Sequence, residues 1–253
     1  MHHLPIDSLL MTENATTQAH NSSQLAYYAG PPKKTMTPVD TPYVRRHLSE
    51  FLEQSGISKS DKVLEVGCGM GKFTLPLLKQ GYNLTGLDIS RVLLDQLMEY
   101  NTEKHPIDLI EADILDIPHE HNEQFDHVIG FFTLHHFLDL EPYVAAMSRL
   151  VKPGGSVIFL EPNAFNPLYY IQITFSPTMS WEGDKGVAKM TTRHFKRAAG
   201  HSKLNKVSIH KYGFFPPFVV NTQIGRAFEA LIEKLRIFRF FSAFQVVKMD
   251  KPS

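Results

Sequence analysis

The sequence predicts an α/β fold built on a mostly parallel sheet, and three observations carry that prediction. From Lys62 on, short β-branched runs alternate with longer stretches of helical period. The first of those runs closes on three glycines at every second position, in VLEVGCGMGKFTLPLL (Val63 to Leu78), with an amphipathic stretch directly behind. The chain has 253 residues, 43% hydrophobic and 21% charged, enough for one large core and ordinary for a globular protein.

The strands read as KVLEV, NLTGLD, IDLIEA, FDHVIGF and SVIFLEP, and the helices between them lie near Gly71–Gln80, Arg91–Glu103 and Glu141–Leu150. Parallel neighbours need crossovers of about this length, right-handed ones. KPGG, Lys152 to Gly155, reads as a turn before the fifth strand. Upstream, Pro42 to Gln54 reads as a helix with Val44, Leu48, Phe51 and Leu52 on one face and Gly56 ending it. Still earlier, TENATTQAHNSSQ has neither period. Residues 1–25 are therefore expected to be a flexible segment, followed by one domain over 26–253 with its core at 62–162.

After Pro162 the rhythm changes. Asn163 to Met190 carries scattered aromatics and the single tryptophan, Trp181. A helix near Thr192–Ala199 and a strand over Lys203–Lys211 follow, and SAFQVVKM reads as the last strand. Between them, Thr222 to Arg236 places Ile224, Phe228, Leu231, Ile232 and Leu235 on one helical stripe. Such a stripe most often faces a core or a dimer partner; cover for an apolar substrate, or contact with a membrane surface, is the sharper reading.

The formal net charge is zero, so no global field draws the chain to nucleic acid or an anionic surface. Locally the balance is uneven: Lys185 to Phe228 contains no Asp or Glu but nine Lys and Arg. That run reads as a solvated face, or else as a site for an anionic acceptor. Cys68 is the only cysteine, which excludes an internal disulfide. No cationic start with an apolar core marks a signal peptide, and the greasiest stretches, FNPLYYIQITF and YGFFPPFVV, are too short and broken to span a bilayer. The expected location is cytoplasmic. His2–His3 and His135–His136 are adjacent pairs without zinc spacing, so no metal is expected.

In open α/β sheets ligands bind beyond the carboxyl ends of the strands, above all at the first strand–helix turn. Gly67, Gly69 and Gly71 let the backbone turn sharply there and approach a ligand, with amide donors of the next helix pointing at it. A dinucleotide loop would read G-x-G-x-x-G; here the spacing is G-x-G-x-G behind Glu65.

With these residues in hand, the sequence resembles the class I S-adenosylmethionine-dependent methyltransferases, in their small-molecule group. LEVGCGMG matches the first motif of that family, LTGLDIS the second, EADILDIP the third, FDHVIGFFTLHHF the fourth and LVKPGGSVIFLEP the fifth, in order across roughly Lys62 to Pro162. The resemblance implies a Rossmann-like, seven-stranded, mostly parallel sheet with an antiparallel last strand, helices on both faces, and substrate-covering insertions within 163–190 and 213–240. It implies S-adenosyl-L-methionine as cofactor and S-adenosyl-L-homocysteine as product. Glu65, Gly67, Cys68, Gly69 and Gly71 would hold the methionine end and the loop, Cys68 as a small residue rather than a nucleophile. Asp88, with Ile89 beside it, would accept the ribose hydroxyls, Ser90 capping the next helix; Asp113 and Ile114 would receive the adenine. Phe131 and Phe132 would sit near the sulfonium, where packing is an equal alternative.

His136, then His135, are the candidate bases if the acceptor is a hydroxyl, since a histidine titrates in the useful range. Tyr28 and Tyr27 are placed as a lid, and Tyr28, Glu161, Trp181 and Phe214 as acceptor contacts; with Phe165, Tyr169, Tyr170, Phe215 and Phe218 these suggest a greasy pocket. The acceptor is expected to be a small apolar or anionic molecule, with a homodimer open as an assembly. A protein or RNA acceptor and a non-catalytic adenosyl-binding module are the alternatives. GFFT in place of an [ND]-P-P-[YF] motif disfavours methylation of base amines.

Overall fold

The computed structural model describes residues 19–26, 28, 30, 35–175, 181 and 185–253. Thr41 caps the first long helix, α1 (Pro42–Ser55), by accepting from the Val44 amide at 3.2 Å, and Gly56 ends it in the left-handed region. The alternating core follows as β1 (Lys62–Val66), α2 (Thr74–Lys79), β2 (Asn83–Asp88), α3 (Arg91–Tyr100), β3 (Asp108–Glu111), β4 (Phe125–Phe131), α4 (Leu140–Leu150) and β5 (Val151–Pro162). Then come α5 (Pro167–Phe175), α6 (Thr192–Gly200), β6 (Lys206–Tyr212), the single turn α7 (Pro217–Val220), α8 (Gln223–Glu233) and β7 (Phe244–Asp250).

The seven strands form one sheet in the order β3-β2-β1-β4-β5-β7-β6, with β7 antiparallel to both neighbours and the other pairs parallel. Along β5 successive side chains serve opposite layers. Val157 and Phe159 join Val144, Met147 and Phe195 of α4 and α6, while Ile158 and Leu160 join Leu48, Phe51 and Leu77 of α1 and α2. Both faces of the sheet are thus buried, which is why its strands read as near-continuous apolar runs. Because β1 to β5 run the same way, their carboxyl ends share one edge.

Two expectations change. KPGG is not a turn ahead of β5 but part of it: Phe125 pairs with Val151, the register then shifts, and His127 pairs with Ser156. The extra residues form a bulge in which Gly154 takes φ +81°. The second change is at the N-terminus, where residues 19–26, expected to be irregular, are helical.

Candidate active site

A cavity of about 1250 Å³ opens at the carboxyl edge of the strands, lined by the β1 and β2 ends, the segment after β4, α5 and residues 214–219. The glycine loop forms one wall. Gly67 takes φ +70°, and a Cβ there would stand 2.5 Å from Thr133 Cγ2, so this position admits glycine alone. Its amide and that of Cys68 donate to Leu87 O at 2.7 and 3.1 Å, tying the loop across to β2. Gly71 plays a different part from the one expected: it does not line the cavity, and its missing Cβ makes room for Leu75 and Leu97, letting α2 and α3 pack closely.

Among the described residues three carboxylates line the cavity. Glu65 is 2% exposed, and its Oε2 has no hydrogen-bond partner among the described residues. Burial, reinforced by the charge of Asp88 and opposed by the Thr74 hydroxyl, pushes its pKa up to about 8. Asp88 accepts from the Gly69 amide (2.9 Å) and the Ser90 amide (2.9 Å), and burial raises its pKa despite those bonds. Ser90 itself caps α3 through Leu93 N, as expected. Asp113 accepts from Leu115 N at 2.9 Å, and Asn21 of the N-terminal helical segment donates to its other oxygen. Ile89 and Ile114 lie beside these acids in the lining, as does Cys68, whose thiol pKa is raised by burial and by Asp88, leaving it unsuited to nucleophilic work.

The segment after β4 carries the aromatic and imidazole groups. Phe131 stacks on Phe73 with centroids 4.6 Å apart. Phe132 holds φ +57°, a strained value for a side chain of its size, and its amide donates to Leu160 O at 2.8 Å. His135 and His136 both line the cavity. The His135 Nδ1 lies 2.7 Å from Glu161 Oε2, while Glu161 Oε1 accepts from the amides of Thr133 (2.8 Å) and Leu134 (2.7 Å). With its Nδ1 hydrogen directed to the carboxylate, His135 presents Nε2 as an acceptor. His136 Nε2 meets the Tyr28 hydroxyl at 3.3 Å, and its carbonyl oxygen meets His20 Nε2 at 2.7 Å.

Of the expected acceptor contacts, Tyr28 and Phe214 line the cavity. Glu161 does not: it is fully buried behind His135, its oxygens consumed by the bonds just given. Trp181 does not either; it is 51% exposed and stacks on Tyr170, outside the lining with Phe165. Tyr27 lies outside the described residues. None of the cations of the acid-free run lines the cavity, and Arg197 pairs with Glu141 at 2.5 Å instead. Sequence reasoning missed His20 and Asn21, whose segment has no period to betray it. It also missed Lys72, among the described residues the one Lys or Arg in the lining, which donates to Thr35 O at 2.7 Å and whose pKa burial lowers to about 8. Among the described residues no group of three or more His, Cys, Asp or Glu is placed to hold a metal ion, and no helix is long and apolar enough to cross a membrane.

A methyltransferase-domain family model matches residues 64–159. The demethylmenaquinone methyltransferase of Staphylococcus aureus (strain JH9) is 30% identical over 132 residues, 49% of this chain and 54% of that protein, so the chain spans about half the length of the curated relatives it matches. Among solved structures, Haemonchus contortus phosphoethanolamine N-methyltransferase 2 in complex with S-adenosyl-L-methionine superposes with a TM-score of 0.60 at 15% identity, covering 83% of this chain and 53% of that one. Geranyl diphosphate C-methyltransferase from Streptomyces coelicolor gives 0.53 at 18% identity, covering 88% of each. At such identities the structural likeness speaks for the fold. The sheet order is the one these structures share, and the family match covers residues 64–159, the stretch holding the glycine loop, Asp88, Asp113 and both histidines.

The residues fit S-adenosyl-L-methionine. An orphaned carboxylate oxygen on Glu65 suits an ammonium, and Asp88 stands at the end of β2.

Proposed function

We propose that this chain transfers a methyl group from S-adenosyl-L-methionine to a small apolar acceptor, within a single domain over 26–253 and in the cytoplasm. The observation that carries the reading is the lining of one cavity. Its acids and the His135–His136 pair lie at the ends of β1 to β4, while α5 and residues 214–219 add Leu168, Ile171, Phe214, Phe215 and Phe218. A pocket for one drug-sized ligand measures about 300–1,000 Å³. At about 1250 Å³ there is room for the cofactor and a second molecule. The exposed or lining aromatics Phe175, Phe214, Phe215 and Phe218 favour an apolar acceptor.

When bound, the cofactor supplies an electrophilic methyl group on a sulfonium. The chain's own task is to bind, align and exclude water. Glu65 receives the ammonium, Asp88 the ribose, and Asp113 with Ile114 the adenine. Thr133 and Leu134 are held by Glu161, which fixes the segment carrying Phe131, Phe132 and the histidines. His135 is a better-placed base than His136, because Glu161 orients its ring and leaves Nε2 to take a proton from the acceptor.

Calorimetric titration with S-adenosyl-L-methionine, S-adenosyl-L-homocysteine and NADH tests the cofactor. Adenosyl ligands alone should bind, and Asp88→Ala should weaken them about a hundredfold, the range for losing hydrogen bonds to a charged group. Binding of NADH, or of nothing, overturns the reading. Given an acceptor, His135→Ala should lower kcat by about 10² or more with cofactor affinity unchanged. Unchanged kcat would remove His135 as the base. Salt-sensitive RNA binding would turn the argument toward a macromolecular acceptor.

A further inference from the structure

The helix α8 is built inside out. Glu229 is 1% exposed, whereas Ile224 is 84%, Phe228 53%, Leu231 58% and Leu235 51% exposed. Ile224, Phe228 and Leu231 recur at i, i+4 and i+7, so they form one stripe that faces away from the protein, and Leu235 stands exposed just past the helix end. The orientation is fixed from within. Glu229 pairs with Arg46 and accepts from the amides of Phe214 and Phe215 at 2.7 and 2.9 Å; Glu233 pairs with Arg46 and accepts from Gly213 N at 2.7 Å. A water-facing helix would turn these acids out and the stripe in.

The apolar surface continues on both sides of the stripe. Toward the cavity, Phe228 stacks on Phe215 with centroids 5.7 Å apart, and Phe218 lines the cavity while 77% exposed. Beyond the helix, Ile237 is 79% exposed, and Phe240 packs on Phe165 at 4.5 Å. Across the cavity mouth Phe175 lines the opening and is 79% exposed.

Cations border this surface: Lys234 and Arg239 are exposed and Arg226 half-buried, Lys211 lies over the rings of Phe165 and Phe240, and the two acids of the helix pair with Arg46. We propose that α8 and the cavity rim dock on an anionic membrane surface, with the exposed stripe entering the interface, the cations at the headgroups and the cavity mouth opening toward the lipid. A second copy fits less well. A two-fold contact would set the same cations against each other and cap the mouth. The inference goes beyond the proposed methyl transfer and needs neither cofactor nor acceptor.

The test is flotation of the whole chain with vesicles of phosphatidylcholine alone, and with roughly one third phosphatidylglycerol, at low and high salt. The wild type should partition onto the anionic vesicles at least about tenfold better than onto the neutral ones, and lose that advantage in high salt. Ile224→Ser with Phe228→Ser and Leu231→Ser, all exposed, should abolish flotation. Lys234→Glu with Arg239→Glu should cost about fivefold or more per position on anionic vesicles only. Sedimentation velocity and calorimetry with S-adenosyl-L-methionine run beside them. No flotation, flotation the triple variant retains, or a wild-type dimer that the triple variant dissociates without any vesicle binding overturns the proposal. Flotation without cofactor binding would sink the proposed function and leave the docking surface standing.

Discussion

Glu65→Gln should nearly abolish cofactor binding while making the cofactor-free protein more stable at alkaline pH. The carboxylate is buried, one oxygen is without a partner, and burial holds its pKa at about 8 against an ordinary 4.5. A carboxyl whose folded pKa is raised favours the native state when protonated. Its contribution is therefore whole below about pH 4.5 and is lost as pH rises through 8. Glutamine has no such proton to lose. Between pH 6 and 9 the wild type should lose on the order of 2 kcal/mol relative to the variant, a divergence of about 5 °C in melting temperature. The same proton marks binding. An ammonium against Glu65 draws its pKa down, so cofactor binding near pH 7 should release up to one proton, read by calorimetry in buffers of different ionisation enthalpy. The variant should release none from this site and bind about a hundredfold more weakly. Equal affinity in the two proteins would remove Glu65 from the ammonium site.

That such a group could be singled out at all comes from where the sequence speaks clearly. β2 and β4 have the bounds their apolar runs imply, Asn83–Asp88 and Phe125–Phe131, because the buried stretches Leu84–Leu87 and Val128–Phe131 stand out against the residues around them. The glycine loop was legible for a similar reason: backbone geometry leaves its mark as missing side chains. What failed was decided by partners distant in sequence. KPGG carries every local mark of a turn, yet pairing with β4 draws it into β5 as a bulge. Glu161 ends a strand as Asp88 does, and nothing local tells that it turns to His135 rather than to the cavity. The stripe on α8 announces a buried face. Its inversion depends on Arg46, nearly two hundred residues away, which makes the inner side of the helix the polar one. For Phe132 a place near the sulfonium and plain packing are equal readings from the sequence, and nothing local announces its φ of +57°.

Arg46→Met should be the most costly single change outside the core, and its effect on catalysis should fall on the acceptor alone. Arg46 lies between Glu229, 1% exposed at its side chain, and Glu233, with Glu50 one helical turn away at 3.7 Å. Removing the guanidinium leaves Glu229 buried beside Glu233 without a counter-charge, and breaking a buried pair from one side costs about 3–5 kcal/mol. For a chain of this size that is a fall of about 10 °C in melting temperature. Those two glutamates also hold the amides of Gly213, Phe214 and Phe215, so the cavity rim loosens with them. The glycine loop, Asp88 and Asp113 have no part in this network. Cofactor affinity should stay within about twofold while the KM for an apolar acceptor rises about tenfold, the pattern of lost ground-state binding. Glu229→Gln in the same chain removes the stranded charge and keeps a carbonyl for the two amides, so the double variant should regain about half of the lost stability. If the single variant melts with the wild type, the ion pair is a surface ornament. If it weakens cofactor binding as much as acceptor binding, the two halves of the cavity are not independent and the separation of roles drawn from its lining fails.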